Sequence, residues 1–168
     1  MNRNGKWIFS PSYTPLHRID SDDSDAAASA ISATQVSFQD VNGDGLADLI
    51  YAERCEGSCS QAVNKTYLNT GAGWAYEKAY DLPVDALMKN TKGDQGYRLL
   101  DVNADGLVDV VYHRILTNGT HEKGVYLNSG VGWISKPSQP DADLDAYAPP
   151  LPFAEEGRGD LGVRPLDL

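Results

Sequence analysis

Two nine-residue stretches carry the side chains best suited to chemistry: Asp40-Val41-Asn42-Gly43-Asp44-Gly45-Leu46-Ala47-Asp48 and Asp101-Val102-Asn103-Ala104-Asp105-Gly106-Leu107-Val108-Asp109. The chemistry they suit is coordination of a hard cation. Calcium takes roughly six to eight oxygen ligands, and alternate residues of a tight loop can aim side-chain oxygens at one point. Asp40, Asn42, Asp44 and Asp48 supply them in the first loop, the Leu46 carbonyl is the expected backbone ligand, and Gly45 permits the sharp turn. Asp101, Asn103, Asp105, Leu107 and Asp109 repeat the set around Gly106. Carboxylates converging without a cation repel one another, so each loop is expected to order on binding, and the expected cofactor is two Ca²⁺ ions.

An EF-hand loop starts in the same way but requires a bidentate Glu at its twelfth position, which here is Tyr51 or Tyr112. The flanks are also β-branched and aromatic, not helical. An acidic, Asx-rich turn without metal is the plain alternative for one such loop, and the second copy weighs against it.

The elements that must position these loops are read from a repeat. The loops lie 61 residues apart, VSFQDVNGDGLADLIYA matches YRLLDVNADGLVDVVYH, and KTYLNTGAGW matches GVYLNSGVGW. Such self-similarity marks a repeated supersecondary unit. Asn4-Gly5-Lys6-Trp7 resembles the tail of an earlier unit and residues 163–167 the head of a later one. The chain thus divides into a repeat tail at 1–10, a connector at 11–34, repeat 1 at 35–81, a connector at 82–96, repeat 2 at 97–137, a Pro/Asp-rich connector at 138–162 and a third repeat begun at 163–168. Within repeat 1, strands are predicted at Val36-Ser37-Phe38, Leu49 to Ala52, Lys65 to Leu68 and Trp74 to Tyr76, with a turn at Gly71-Ala72-Gly73. The expected fold is all-β: tandem four-stranded antiparallel blades of a partial β-propeller, each with a calcium-binding hairpin loop.

Composition bounds the partners. With 168 residues, 41% apolar content, nine Tyr and three Trp, the chain can bury a core. A net charge of -10 argues against nucleic acid and anionic lipid, because binding either would set carboxylate against phosphate. No apolar run approaches a membrane span, so no membrane insertion is expected; MNRNGKWIF lacks the apolar core of a signal peptide, so export would rely on a signal outside this chain. Cys55 and Cys59 flank a short loop and suit a disulfide in an oxidising compartment, with two free thiols as the alternative. Sequons at Asn64 and Asn118 would matter only in a eukaryotic secretory protein.

DVNGDGLADLIY together with YLNTGAGW resembles the FG-GAP or VCBS class of repeat, found in the β-propeller heads of integrin α chains and in many bacterial exported proteins. The Leu-Asn-x-Gly-x-Gly-Trp tail is similar to units accompanying RHS and toxin-complex proteins. The resemblance covers about 35–81 and 97–137. It implies a blade whose first hairpin holds calcium; a family propeller commonly has more blades than this chain has material for.

Other features fit less specific readings. Arg158-Gly159-Asp160 spells an integrin-recognition tripeptide, though a chain rich in Gly and Asp readily supplies one in an ordinary loop. Asp20, Asp22, Asp23 and Asp25, and Asp141, Asp143 and Asp145, read as solvated acidic loops lacking the turn glycine. His17, His113 and His121 are separate in sequence, no nucleophile context is recognisable, and no enzyme activity is expected. Trp7, Trp74 and Trp133 hold equivalent repeat positions, which suits packing first and sugar stacking second. The function expected is a non-enzymatic calcium-binding module, extracellular or at a cell surface, that acts as scaffold and adhesion surface for a protein or glycan ligand. A lectin-like module and an accessory propeller of a larger toxin or enzyme are the alternatives, and open blade edges favour self-association.

Overall fold

The structure, a computed structural model, describes residues 2–3, 6–7, 12, 31–55, 63–83, 89–90, 93–134 and 144–164. Cys59, His17, the acidic cluster at 20–25, Asp141, Asp143 and the third repeat's Asp167 lie outside the described residues, and with Cys59 goes the Cys55–Cys59 pairing.

The described chain is mostly strand, with two short 3-10 turns and no α-helix. A small ladder joins β1 (Asn2–Arg3) and β2 (Lys6–Trp7). β3 (Ile31–Gln39), β4 (Asp48–Cys55), β5 (Val63–Asn69) and β6 (Trp74–Tyr76) form an antiparallel sheet in that order. After a 3-10 turn at Lys78–Tyr80 and a second small ladder, β7 (Lys89–Asn90) with β8 (Gly93–Asp94), the pattern repeats. β9 (Tyr97–Leu100), β10 (Asp109–Ile115), β11 (His121–Asn128) and β12 (Trp133–Ile134) pair antiparallel in sequence order. Each candidate loop joins the first two strands of its sheet.

The expected strands thus form, and the central ones show why. Leu49, Ile50, Tyr51 and Ala52 are all buried, as are Val110 and Val111, so both faces of β4 and β10 are covered. A strand covered on both sides reads as a continuous β-branched and aromatic run, not as an alternation.

The segment 138–162, expected to be a connector, does more. A 3-10 turn at Leu144–Tyr147 precedes β13 (Ala154–Glu155) and β14 (Gly159–Asp160), a hairpin of the second sheet. β13 runs parallel to β10 at Arg114 and Ile115, beyond Tyr112 where β9 stops pairing. Its Pro-rich composition upstream hid two strands of two residues each.

Packing is layered. Ile50, Ala52 and Val41 of the first sheet meet Tyr97, Val108 and Val110 of the second, with Tyr80 and Leu82 between them. The opposite face of the second sheet, Val111 and Val125, is covered by Leu144 and Phe153. By the 61-residue offset Ile50 corresponds to Val111, not to Val110. The two sheets therefore stack head to tail: each offers its neighbour the face opposite to the one it receives.

Candidate metal centre

In the first loop every candidate side chain is held by the loop's own backbone. Asp40 Oδ1 accepts the amides of Gly43 at 2.8 Å and Asp44 at 3.2 Å, and its Oδ2 accepts that of Gly45 at 2.7 Å. Asn42 Oδ1 accepts the Asp44 amide at 3.0 Å while its Nδ2 donates to Asp44 Oδ2 at 3.1 Å. Asp44 Oδ1 in turn accepts the Leu46 amide at 2.8 Å. These are the local side-chain to backbone bonds that Asp and Asn make readily in turns. Gly45 sits at φ 83°, in the left-handed region, with open space where a Cβ would point, so glycine is required there by conformation and not by crowding.

The second loop repeats these bonds except that of Gly43 to Asp40, which has no counterpart at Ala104. The Asp101 carboxylate accepts the Asp105 amide at 3.2 Å and the Gly106 amide at 2.9 Å. Asn103 bridges to Asp105 through both amide atoms, at 3.1 and 2.9 Å, and Asp105 accepts the Leu107 amide at 2.8 Å.

Asp48 and Asp109, the last residue of each loop, differ from the loops' other acidic side chains in having no exposure at all. Asp48 Oδ2 accepts the Val41 amide at 2.9 Å and its Oδ1 the Asn69 amide at 2.7 Å. Asp109 does the same with Val102 at 3.0 Å and Asn128 at 2.7 Å. Each aspartate therefore pins the start of its loop to the end of the third strand. Burial pushes both carboxyls above the usual range, the two amide bonds oppose that, and the charges of Asp44 and Asp40, or Asp105 and Asp101, add to it.

Among the described residues no three His, Cys, Asp or Glu side chains meet in a metal-holding group, and the loop carboxylates accept bonds from backbone amides. The donor set nonetheless fits a cation. An ionised carboxylate has about four lone-pair sites; Asp44 and Asp48 each use two on the bonds above. Among the described residues no Lys or Arg pairs with any of the six loop aspartates.

Asn69 and Asn128 went unassigned in the sequence reading, and both prove central. Each takes its loop aspartate on its own amide, and its Oδ1 accepts the amide two residues on, Gly71 or Gly130, at 3.0 or 2.9 Å. Thr70 and Ser129 close the same turns onto Gly73 and Gly132. The repeated Leu-Asn-Thr/Ser-Gly-x-Gly-Trp string is the signal that marks them.

The other candidates fall elsewhere. The Asp160 carboxylate is gripped by Arg164 through two bonds of 2.8 and 2.5 Å and accepts the Gly162 amide, which together hold it down to about 2. Arg158 pairs with Glu155, so the tripeptide 158–160 is built into the β13–β14 hairpin, with its carboxylate already engaged. His113 and His121, eight residues apart in the chain, come within 2.9 Å through the β10–β11 register. Trp133 packs on the central core, whereas Trp74 lies 6.3 Å from exposed Phe38. No helix of the described residues is long and apolar enough to cross a membrane. Comparison with protein families, with characterised proteins and with solved structures finds no match to this chain.

Proposed function

We propose that this chain is a non-enzymatic calcium-binding β-repeat module of an extracellular or exported protein, its two loops stapling successive blades of a partial propeller of the FG-GAP or VCBS type. The observation that carries the reading is the duplicated loop skeleton ending in a buried carboxylate that no Lys or Arg among the described residues pairs with, Asp48 in one copy and Asp109 in the other. In this reading Asp40, Asn42, Asp44, the Leu46 carbonyl and Asp48 hold one cation, and Asp101, Asn103, Asp105, the Leu107 carbonyl and Asp109 the other. A bound calcium would supply positive charge to the three aspartates of a loop and draw them together, and so would favour the ordered hairpin over the open one. Head-to-tail stacking of the two sheets supports a blade array, because such contacts continue to further units instead of closing on themselves.

Calorimetric titration of the metal-free protein with Ca²⁺ tests the proposal. Two ions should bind with Kd about 10⁻⁴ to 10⁻³ M, as in extracellular modules. Asp44→Ala and Asp105→Ala should each remove one site, and a stoichiometry near zero would sink the reading.

One observation supports a second, lectin-like reading. Phe38 is 54% and Tyr76 48% exposed on the first sheet, and the Phe38 ring lies 6.3 Å from that of Trp74, which would give a sugar ring an aromatic face to stack on. Quenching of Trp74 fluorescence on sugar addition would support that role, and an unchanged spectrum across a glycan panel would remove it.

A further inference from the structure

We propose that Asn128 couples the two loops, so that a cation held in either one strengthens binding in the other; the proposal rests on the calcium reading above. A continuous buried hydrogen-bond chain joins the two loop-closing aspartates. Asp48 accepts the Val41 amide at 2.9 Å, the Val41 carbonyl accepts Asn128 Nδ2 at 2.7 Å, and the Asn128 amide donates to Asp109 at 2.7 Å. Asp48, Val41, Asn128 and Asp109 are all at most 2% exposed, so no link competes with bulk water.

Asn69, the counterpart of Asn128, turns its Nδ2 inward to Ala47 of its own loop at 3.2 Å. Asn128 instead reaches 87 residues back to the preceding loop, and seizes its backbone between Asp40 and Asn42. A second contact runs beside it: a Cβ on Gly43 would stand 3.0 Å from Leu107 Cδ2, so the tip of the first loop lies against a residue of the second. Asp40, Asp101, Gly106 and Leu107 also line one cavity of about 430 Å³.

Ordering the second loop fixes Asp109, which fixes Asn128 through its amide, and the Asn128 side chain then fixes the Val41 carbonyl. The first loop is thereby partly ordered before it is filled. Whichever loop binds second needs less ordering, which is positive cooperativity without any change of fold. Repulsion between two dications acts the other way, but it is screened by salt, whereas the buried chain is not.

The test is a double-mutant cycle read by calorimetry of the full chain with Ca²⁺ at physiological ionic strength, with the Val41 and Asn42 amide resonances followed by NMR. Removing the second site with Asp105→Ala should weaken the first by about five-fold or more, and Asp44→Ala should weaken the second by the same factor, since coupling is reciprocal. With Asn128→Ala both sites should still fill, yet Asp105→Ala should no longer weaken the first, nor shift the Val41 resonance. Asn69→Ala, the control, should weaken the first loop while leaving the coupling intact. Should Asn128→Ala fail to fold, Asn128→Ser takes its place, and the reciprocity of the two aspartate variants stands without either. Two ions that titrate independently in the wild type, or a penalty from Asp105→Ala that persists without Asn128, overturn the coupling alone. Absence of heat at both loops overturns the calcium reading as well.

Discussion

The Tyr80 hydroxyl donates a hydrogen bond to the carbonyl oxygen of Gly130. Tyr80 ends the 3-10 turn that follows the first sheet, and Gly130 lies in the β11–β12 turn of the second, so this bond ties consecutive repeats at their rim. Gly132, two residues on, approaches so closely that a Cβ there would stand 2.7 Å from the Ala79 carbonyl oxygen.

The inter-repeat contact should therefore respond unequally to two small changes. Tyr80→Phe removes one hydrogen bond and is expected to destabilise by about 1 kcal/mol. Gly132→Ala places a methyl into backbone at φ 129° and should destabilise by more, about 2–3 kcal/mol. Urea unfolding of both variants checks the order; a Gly132→Ala protein as stable as Tyr80→Phe would show that the repeats do not rest on each other there.

Calcium should stabilise the folded chain by mass action. At about 10 mM Ca²⁺ and a Kd near 10⁻³ M, each filled loop adds about 1.4 kcal/mol, which for a chain of this size raises Tm by about 2–4 °C per kcal/mol. Thermal unfolding followed by circular dichroism, in Ca²⁺ and then in excess chelator, measures the shift. Mg²⁺ should do less, since it dehydrates reluctantly and wants a smaller, stricter shell. An unchanged Tm under both conditions would count against metal in these loops.

The strands of both sheets and the loops between first and second strands were legible because each leaves a local pattern: LIYA and VVY for strands covered on both faces, Asp-x-Asn-x-Asp-Gly for the loop. Asn128 was not legible as a link to the first loop. Its string is that of Asn69, and nothing local in that string shows that the Asn128 side chain reaches the Val41 carbonyl 87 residues back. The β13–β14 hairpin was hidden for a different reason: two-residue strands have no periodicity, and their pairing depends on the edge of β10 left open beyond Tyr112. His113 and His121 meet through strand register alone, eight residues apart with a turn between them.

That histidine pair predicts a pH dependence in metal-free protein. His113 is buried and its Nδ1 donates to the Pro149 carbonyl at 2.9 Å, which in the neutral ring leaves Nε2 to accept from His121. Burial pulls His113 below its ordinary 6.5, the Pro149 bond opposes that, and the neighbouring His121 and Lys123 add to the lowering. The unfolded chain thus takes up the proton first. This stability contribution is fully present above 6.5 and is lost as pH falls below it towards the lower folded value. His113→Gln should flatten that part of the profile. Urea midpoints measured in chelator between about pH 7.5 and 5.5 decide it, and parallel slopes for wild type and variant would remove His113 as the cause.

The two loops also differ at one backbone position, and that difference gives opposite predictions for reciprocal substitutions. Gly43 stands at φ 77°, and its counterpart Ala104 stands at φ 60°, alone among the described non-glycine residues in having positive φ. Left-handed backbone is unfavourable for an L side chain by about 1–2 kcal/mol, while glycine gives back part of that by loosening the unfolded chain. Ala104→Gly should therefore stabilise the protein modestly, by about 0.5–1 kcal/mol. Gly43→Ala should destabilise by more than the reverse of this, about 1–2 kcal/mol. Its new methyl meets conformational strain and also Leu107 Cδ2 at 3.0 Å, across the gap between loops. The steric part can be isolated, because Leu107→Ala removes the opposing atom but not the strain. In a double-mutant cycle Gly43→Ala and Leu107→Ala should show a coupling of about 0.5 kcal/mol or more, with the pair less damaging than the sum of the singles. Strict additivity would mean that the loops are not in contact at this point, and would remove the second of the two links between them.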